Sequence, residues 1–452
     1  MSKAAVATAA PKERAFLVSV EVRHEPGLFT PQDSLLELER LADTAGLVVV
    51  GSISQRLNKP DAATLIGSGK VAELKELVEE QRADLVIFDE ELSPRHQREL
   101  ETVLGEGVRL LDRTALILDI FAQHARTSEG ALQVELAQLE YRLPRLTRQW
   151  THLARQAGGG GGRAGGVGGV GLRGPGETQL EVDRREISRR VSQLKAEIEK
   201  VRAHRARHRV QRKRTGTPVV ALVGYTNAGK STLLRALTSA DVYIADQLFA
   251  TLDPTTRQIS LPDGQTALIT DTVGFIQKLP TALVAAFRAT LEEIAEADLL
   301  LHVVDCTHHN ACEQAEAVEQ TLGDLHMDNL QVLTVLNKMD GVVPPKVLSD
   351  LKAVYPESVM ISALARKGLD ELLNQIQHNL NRYMQDVELL LPHTAGQLLA
   401  AFHQYGRVRS VKHLAKGVRV SGQLPRERLA DFVDYATKAS SAGQSLPAQD
   451  DE

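Results

Sequence analysis

Gly224-Tyr225-Thr226-Asn227-Ala228-Gly229-Lys230-Ser231 carries the spacing G-x-x-x-x-G-K-[ST], and its flanks give that spacing a meaning. The run before it, Pro218-Val219-Val220-Ala221-Leu222-Val223, reads as a buried strand, and Thr232-Leu233-Leu234-Arg235-Ala236-Leu237 after it reads as a helix. Glycines leave room for backbone N–H groups to converge on phosphate oxygens where a helix begins. In that setting Lys230 reaches the β- and γ-phosphates and the Ser231 hydroxyl binds Mg²⁺. The contacts of such a loop run from Gly224 through Thr232.

Three later segments select the nucleotide. Asp271-Thr272-Val273-Gly274 ends the apolar run Ala267-Leu268-Ile269, so the Asp271 carboxylate stands at a strand tip, able to hold Mg²⁺ through water. The Gly274 N–H there meets a γ-phosphate. Asn337-Lys338-Met339-Asp340 follows the strand Val332-Leu333-Thr334-Val335-Leu336. Asp340 accepts from both N–H groups on the Watson–Crick edge of guanine; adenine lacks that donor pair, and losses of this kind discriminate by about 10⁴ or more. Ser362-Ala363-Leu364, after Val359-Met360-Ile361, closes the base pocket. Four pieces in this order, each at a strand's C-terminal end, match the crevice where open α/β sheets bind ligands. The pattern is that of a guanine-nucleotide domain binding GTP and GDP.

A nucleotide switch also needs a threonine that ligates Mg²⁺ only when the γ-phosphate is present. Thr251, Thr255 and Thr256, in Gln247 to Arg257, all qualify, and local spacing does not rank them. Position 275, where a water-orienting Gln commonly follows D-x-x-G, is Phe275. Phenylalanine cannot hydrogen-bond a water, so hydrolysis is expected to be slow until a partner accelerates it. Gln277 is the nearest alternative donor.

At 452 residues, 43% hydrophobic and 25% charged, the chain has room for about three domains with their own cores. No apolar run approaches the roughly 20 residues that span a bilayer, and the polar start Met1 to Arg14 lacks a signal core. Two cysteines, Cys306 and Cys312, match no zinc spacing, and a cytoplasmic location is expected. The net charge of −5 opposes indiscriminate nucleic-acid binding, and no DNA partner is expected.

The expected architecture is α/β: a P-loop G domain (216–384) preceded by a small α/β domain (15–128) and a helical hairpin (129–215), followed by a small α+β domain (385–437). Tails are expected at 1–14 and 438–452. The first domain alternates strands such as Leu17-Val18-Ser19-Val20 and Leu85-Val86-Ile87-Phe88 with amphipathic helices. Its Ile66-Gly67-Ser68-Gly69-Lys70 lacks the other residues of a phosphate loop, since position 64 is Thr and position 71 is Val, and reads as a helix-capping turn.

The hairpin rests on two apolar stripes. One is Leu132, Leu136, Leu139, Leu143, Leu146, Trp150 and Leu153, interrupted by Pro144; the other is Ile187, Val191, Leu194, Ile198 and Val201. Between them lies a glycine-rich tip, Gly158 to Gly176, carrying Arg163 and Arg173. The second arm ends in Arg202, Arg205, Arg207, Arg209, Arg212, Lys213 and Arg214 without intervening acids, which favours phosphate-backbone contact with RNA. Beyond the G domain the order β-α-β-β-α is expected, with a basic edge of Arg407, Arg409, Lys412, Lys416 and Arg419.

These segments resemble the HflX family of ribosome-binding GTPases. The likeness is carried by Ala63-Thr64-Leu65-Ile66-Gly67-Ser68-Gly69-Lys70-Val71, Arg173-Gly174-Pro175-Gly176-Glu177-Thr178-Gln179-Leu180-Glu181, Phe249-Ala250-Thr251-Leu252-Asp253 and Asp271-Thr272-Val273-Gly274-Phe275, and covers nearly the whole chain. The resemblance implies GTP hydrolysis, binding to ribosomal RNA of the large subunit, and ribosome splitting or rescue under stress. It implies nucleotide contacts along Phe249-Ala250-Thr251-Leu252-Asp253, with Thr251 as the switch ligand for Mg²⁺, making Lys230, Thr251 and Gly274 the catalytic set. Similar G proteins hold K⁺ partly through an Asn in the phosphate loop, the place of Asn227. A monomer is expected. The alternative is a GTP-switched RNA-binding factor in ribosome assembly or RNA modification.

Overall fold

Strand β1 (Arg14–Val22) and strand β3 (Leu85–Phe88) form the apolar centre of a first sheet, flanked by β2 (Val48–Leu57) and β4 (Arg109–Asp112) in the order β2-β1-β3-β4, all parallel. The computed structural model describes residues 12–23, 27–105, 107–145, 175–215, 217–238, 248–249, 251–278, 293–327, 330–381 and 384–435. Parallel strands require crossovers. These are the helices α1 (Pro31–Thr44), α2 (Ser68–Glu80) and α3 (Pro94–Leu104), with α4 (Arg113–His124) leaving the last strand. The Gly67 turn caps α2, its N–H donating to Gln55 Oε1 at 2.9 Å.

Helix α5 (Ser128–Arg142) stops two residues before Pro144. Its buried face is Val134 and Ala137, packed into the core of the first domain, whereas Leu132, Leu136 and Leu139 of the expected stripe are half-buried. The neighbouring long helix α6 (Pro175–Thr215) buries Leu194 and Ile198, as its stripe predicts. Ion pairs Arg190–Glu135 at 2.7 Å and Lys195–Glu140 at 2.9 Å join the two helices. The glycine-rich tip as far as Gly174, with Arg163 and Arg173, lies outside the described residues, as do the side chains of the basic run beyond Arg202.

The second sheet has the order β10-β9-β8-β5-β7-β6. Its strands are β5 (Val219–Val223), β6 (Thr255–Ser260), β7 (Thr266–Asp271), β8 (Leu299–Asp305), β9 (Val332–Asn337) and β10 (Val359–Met360); only the edge strand β6 runs antiparallel. Helices α7 (Lys230–Thr238), α8 (Ala311–Asp324), α9 (Pro345–Val354) and α10 (Leu369–Asn381) accompany it. The C-terminal unit is β11 (Met384–Leu391), α11 (Gly396–Tyr405), β12 (Arg407–Leu414) and β13 (Gly417–Pro425), in an antiparallel sheet. Its last element, Arg426–Tyr435, is a 3₁₀ segment rather than the expected α-helix. Of the expected basic edge, Arg409 pairs with Asp386 at 3.0 Å and Arg419 with Glu388 at 3.6 Å. Among the described residues no helix is long and apolar enough to cross a membrane.

Candidate nucleotide site

The C-terminal ends of β5, β7 and β9 bring the sequence-predicted segments to one edge of the second sheet. At the mouth of β5, Gly224 adopts φ +149° and a side chain there would collide with the Val303 carbonyl of β8. Gly229 has φ +96°, and a Cβ would strike Asn337 Nδ2. Both positions therefore demand glycine, one for the close strand and the other for the base-side segment. Lys230 Nζ donates to the carbonyls of Gly224 at 3.0 Å and Tyr225 at 2.8 Å, folding back over the loop. Its burial pushes the ammonium down to about 8, against the pull of Asp271.

Three oxygen-bearing side chains meet in front of that lysine. Ser231 Oγ donates to Asp271 Oδ2 at 2.6 Å, and Thr251 Oγ1 lies 2.8 Å from Ser231 Oγ and 3.2 Å from Asp271 Oδ2. Among the threonines left open by spacing, Thr251 is the one at this cluster; Thr256 bonds Thr270 across the β6–β7 pair at 2.9 Å. Asp271 Oδ1 and Thr226 Oγ1 are buried without a hydrogen-bond partner among the described residues. Burial raises the Asp271 carboxyl above its usual range. Gly274 is crowded: a Cβ would stand 2.8 Å from Thr226 Cα and 3.0 Å from Lys230 Nζ. Thr272 Oγ1 donates to the Leu222 carbonyl, fixing the strand tip, and Val273 is buried in the core.

On the base side, Asn337 ties two loops together, donating from Nδ2 to the Ala228 carbonyl at 2.9 Å and accepting from Ala363 N at 3.0 Å. Lys338 Nζ pairs with Asp305 at 2.7 Å. Ser362 Oγ donates to Asp340 Oδ1, and that bond holds the carboxyl below the usual carboxylate range. Asp340 and Leu364 are exposed. Met339 is half-buried and packs on the cluster around Leu336.

A family model described as "50S ribosome-binding GTPase" matches residues 219–338, "GTP-binding GTPase N-terminal" matches 32–122, and "GTP-binding GTPase Middle Region" matches 124–212. The protein "GTPase HflX" of Caldanaerobacter subterraneus subsp. tengcongensis is 45% identical over 93% of this chain and 94% of its own length. The chain belongs to the HflX family. As a member it is a P-loop GTPase that hydrolyses GTP. "GTPase HflX" of Escherichia coli K12 is 42% identical over 87% of this chain and 88% of its own length. Among solved structures, the SsGBP and GDP complex is 25% identical over 82% of this chain and 99% of that one, with a TM-score of 0.44.

In this HflX-family chain several segments named from sequence face the first domain rather than the nucleotide edge. The Tyr225 hydroxyl donates to Glu37 of α1 and accepts from Gln277 N at 2.9 Å. Gln277 Nε2 donates to Ser34 Oγ at 3.2 Å, so the alternative donor for a water is held by α1. Phe249 packs edge-on against Phe121 of α4, with ring centroids 4.7 Å apart, and Leu252 is buried in the same core. The Asp253 carboxylate accepts from the backbone N–H groups of Arg126 and Thr127. Ala250 lies outside the described residues.

Sequence reasoning missed a buried charge cluster at the same contact. Arg113, 2% exposed, pairs with Glu37 and Asp89, and Lys278 pairs with Asp89 and, at 3.1 Å, with Glu90. Asp89 stays below the usual carboxylate range despite burial, because Arg113 and Lys278 favour its charged form. Glu90 is pushed up to about 7, burial outweighing Lys278. No spacing pattern marks residues that meet only when two domains dock.

Proposed function

We propose that this chain is a guanine-nucleotide switch that binds the large ribosomal subunit and is turned over by it, splitting or rescuing stalled ribosomes from a cytoplasmic, monomeric pool. The observation that carries the switch is the meeting of Ser231, Thr251 and Asp271 in one cluster. Mg²⁺ fits these residues: two hydroxyls and a carboxylate oxygen with an unpartnered neighbour are hard oxygen donors. Ser231 and Thr251 would hold the ion, with Asp271 behind them. When bound, it neutralises charge on the β- and γ-phosphates.

The chain's own groups do the rest. Lys230 would leave the Gly224 and Tyr225 carbonyls for the phosphates, the Gly274 N–H would meet the γ-phosphate, and Asp340 would take the guanine edge. Phe275 is 5% exposed and supplies no hydrogen bond to an attacking water, and Gln277 is engaged with Ser34. Neither residue supplies the group that fast hydrolysis needs, and the large subunit would provide it. Asn227, with φ +60° in the phosphate loop, is our candidate for a potassium contact, and equal rates in K⁺ and Na⁺ would remove it.

GTP turnover with and without purified large subunits tests the reading. Orders-of-magnitude acceleration is expected, together with co-sedimentation in a non-hydrolysable GTP analogue and not in GDP. A rate unmoved by large subunits would overturn it.

A further inference from the structure

Asp253 lies two residues beyond Thr251, yet its carboxylate serves the start of another element. Oδ2 accepts from Arg126 N at 3.0 Å and from Thr127 N at 2.8 Å, while Oδ1 accepts from Thr127 Oγ1. Thr127 is itself the N-cap of α5, its Oγ1 accepting from Gly130 N at 3.0 Å. A carboxylate is favoured at a helix N-terminus, where free N–H groups and the positive end of the dipole coincide. Here that carboxylate comes from 126 residues downstream, and it belongs to the segment that carries the switch threonine.

The helix is cut to receive it. Gly130 sits in the first turn of α5, where glycine is a poorer helix former than alanine. A Cβ at Gly130 would overlap Asp253 Oδ1 and stand 3.3 Å from Asp253 Cγ. The backbone there is not left-handed, so conformation does not require glycine; a Cβ would instead displace the Asp253 carboxylate. Around the contact, Phe249 is seated on Phe121, Leu252 is buried, and Leu248 N donates to Thr44 Oγ1 at 3.4 Å.

We propose that Asp253, seated in the space that Gly130 leaves at the start of α5, is the positioning residue that holds Thr251 at the metal-binding cluster. The inference rests on Thr251 being the residue that follows the γ-phosphate. An arm held this way also gives the triphosphate a direct line to α5 and, through the Arg190–Glu135 and Lys195–Glu140 pairs, to α6.

The test uses the full chain with Gly130→Ala, Asp253→Ala, the double variant and Thr251→Ala. Affinities for GDP and for a non-hydrolysable GTP analogue are read with Mg²⁺, together with kcat, KM and thermal midpoint. Gly130→Ala and Asp253→Ala should each lower the analogue-to-GDP affinity ratio and kcat by about tenfold or more, since a single hydrogen bond to a charged group is worth at least about that much. GDP affinity should be unchanged, and Gly130→Ala should not lower the thermal midpoint. The double variant should be no worse than Asp253→Ala alone, because both act through one contact. A merely structural role would lower the midpoint and leave the ratio intact, and that result overturns the proposal. Additive losses in the double variant also overturn it. If Thr251→Ala leaves the ratio unchanged, the switch reading itself has failed and the anchor falls with it. A Thr251→Ala loss without an Asp253→Ala loss refutes the anchor alone.

Discussion

Arg113 Nη1 donates to Asp89 Oδ1 at 2.6 Å, and neither side chain is exposed by more than 2%. The same carboxylate takes Lys278, four residues beyond Gly274, so the first sheet ends on the segment that follows that glycine. Removing one partner of a buried pair strands the other without compensation. Arg113→Met should cost about 3–5 kcal/mol in urea denaturation, since it takes the guanidinium away from the buried Asp89 carboxylate and from Glu37. Lys278→Met should cost only about 1 kcal/mol, because its side chain is 42% exposed and water already screens it. Equal losses, or the reverse order, would contradict this account of the contact.

His302 in β8 is buried, with Nε2 unpartnered among the described residues and its ring edge-on to Tyr355. Burial, with nearby Lys230 adding to it, pushes the imidazole down to about 4 from the ordinary 6.5. Between those values the unfolded chain binds the proton and the folded chain does not, so stability falls as pH falls from 6.5 towards 4. His302→Leu should flatten the denaturation midpoint over that window. A slope that survives the substitution would assign it to another group.

Glu90 works in the opposite sense. With its carboxyl raised to about 7 from 4.5, the folded chain holds the extra proton, and its contribution is lost as pH rises through about 7. Glu90→Gln, which keeps the neutral shape, should remove a decline in stability between about pH 5 and 7. The slope is read by denaturation at matched ionic strength, and an unchanged one would count against the buried carboxylate.

The G-domain strands and their phosphate and base loops were legible because each is a short apolar run closed by a few residues of fixed chemistry. Short apolar runs between amphipathic helices likewise marked β1 and β3, both buried without a break through their centres. The half-buried leucines of α5 were less so: the helix has two covered faces, and one heptad stripe describes only one of them. Arg113, Asp89 and Lys278 gave no signal, since each reads as an ordinary surface charge until the domains meet. Asp253 was assigned to the nucleotide on its position in Phe249 to Asp253; its bonds to Arg126 and Thr127 depend on a chain separation that no local motif encodes.

Asp340 offers a chemical test of base choice. Replacing its carboxylate by an amide presents one acceptor and one donor, which suits a base with an N–H beside a carbonyl, as in xanthine, rather than guanine's two donors. Asp340→Asn should lose GTP affinity by about 10² or more and gain xanthosine triphosphate. Turnover with both nucleotides, measured on the same preparation, reads the exchange. Retained preference for GTP would place the base elsewhere.

The most direct measurement is equilibrium competition between GDP and ADP on the purified chain, with Lys230→Ala as the control. GDP should win by about 10⁴ or more, and Lys230→Ala should weaken GDP binding severely. Equal affinity for the two diphosphates, or no binding of either, would contradict the account.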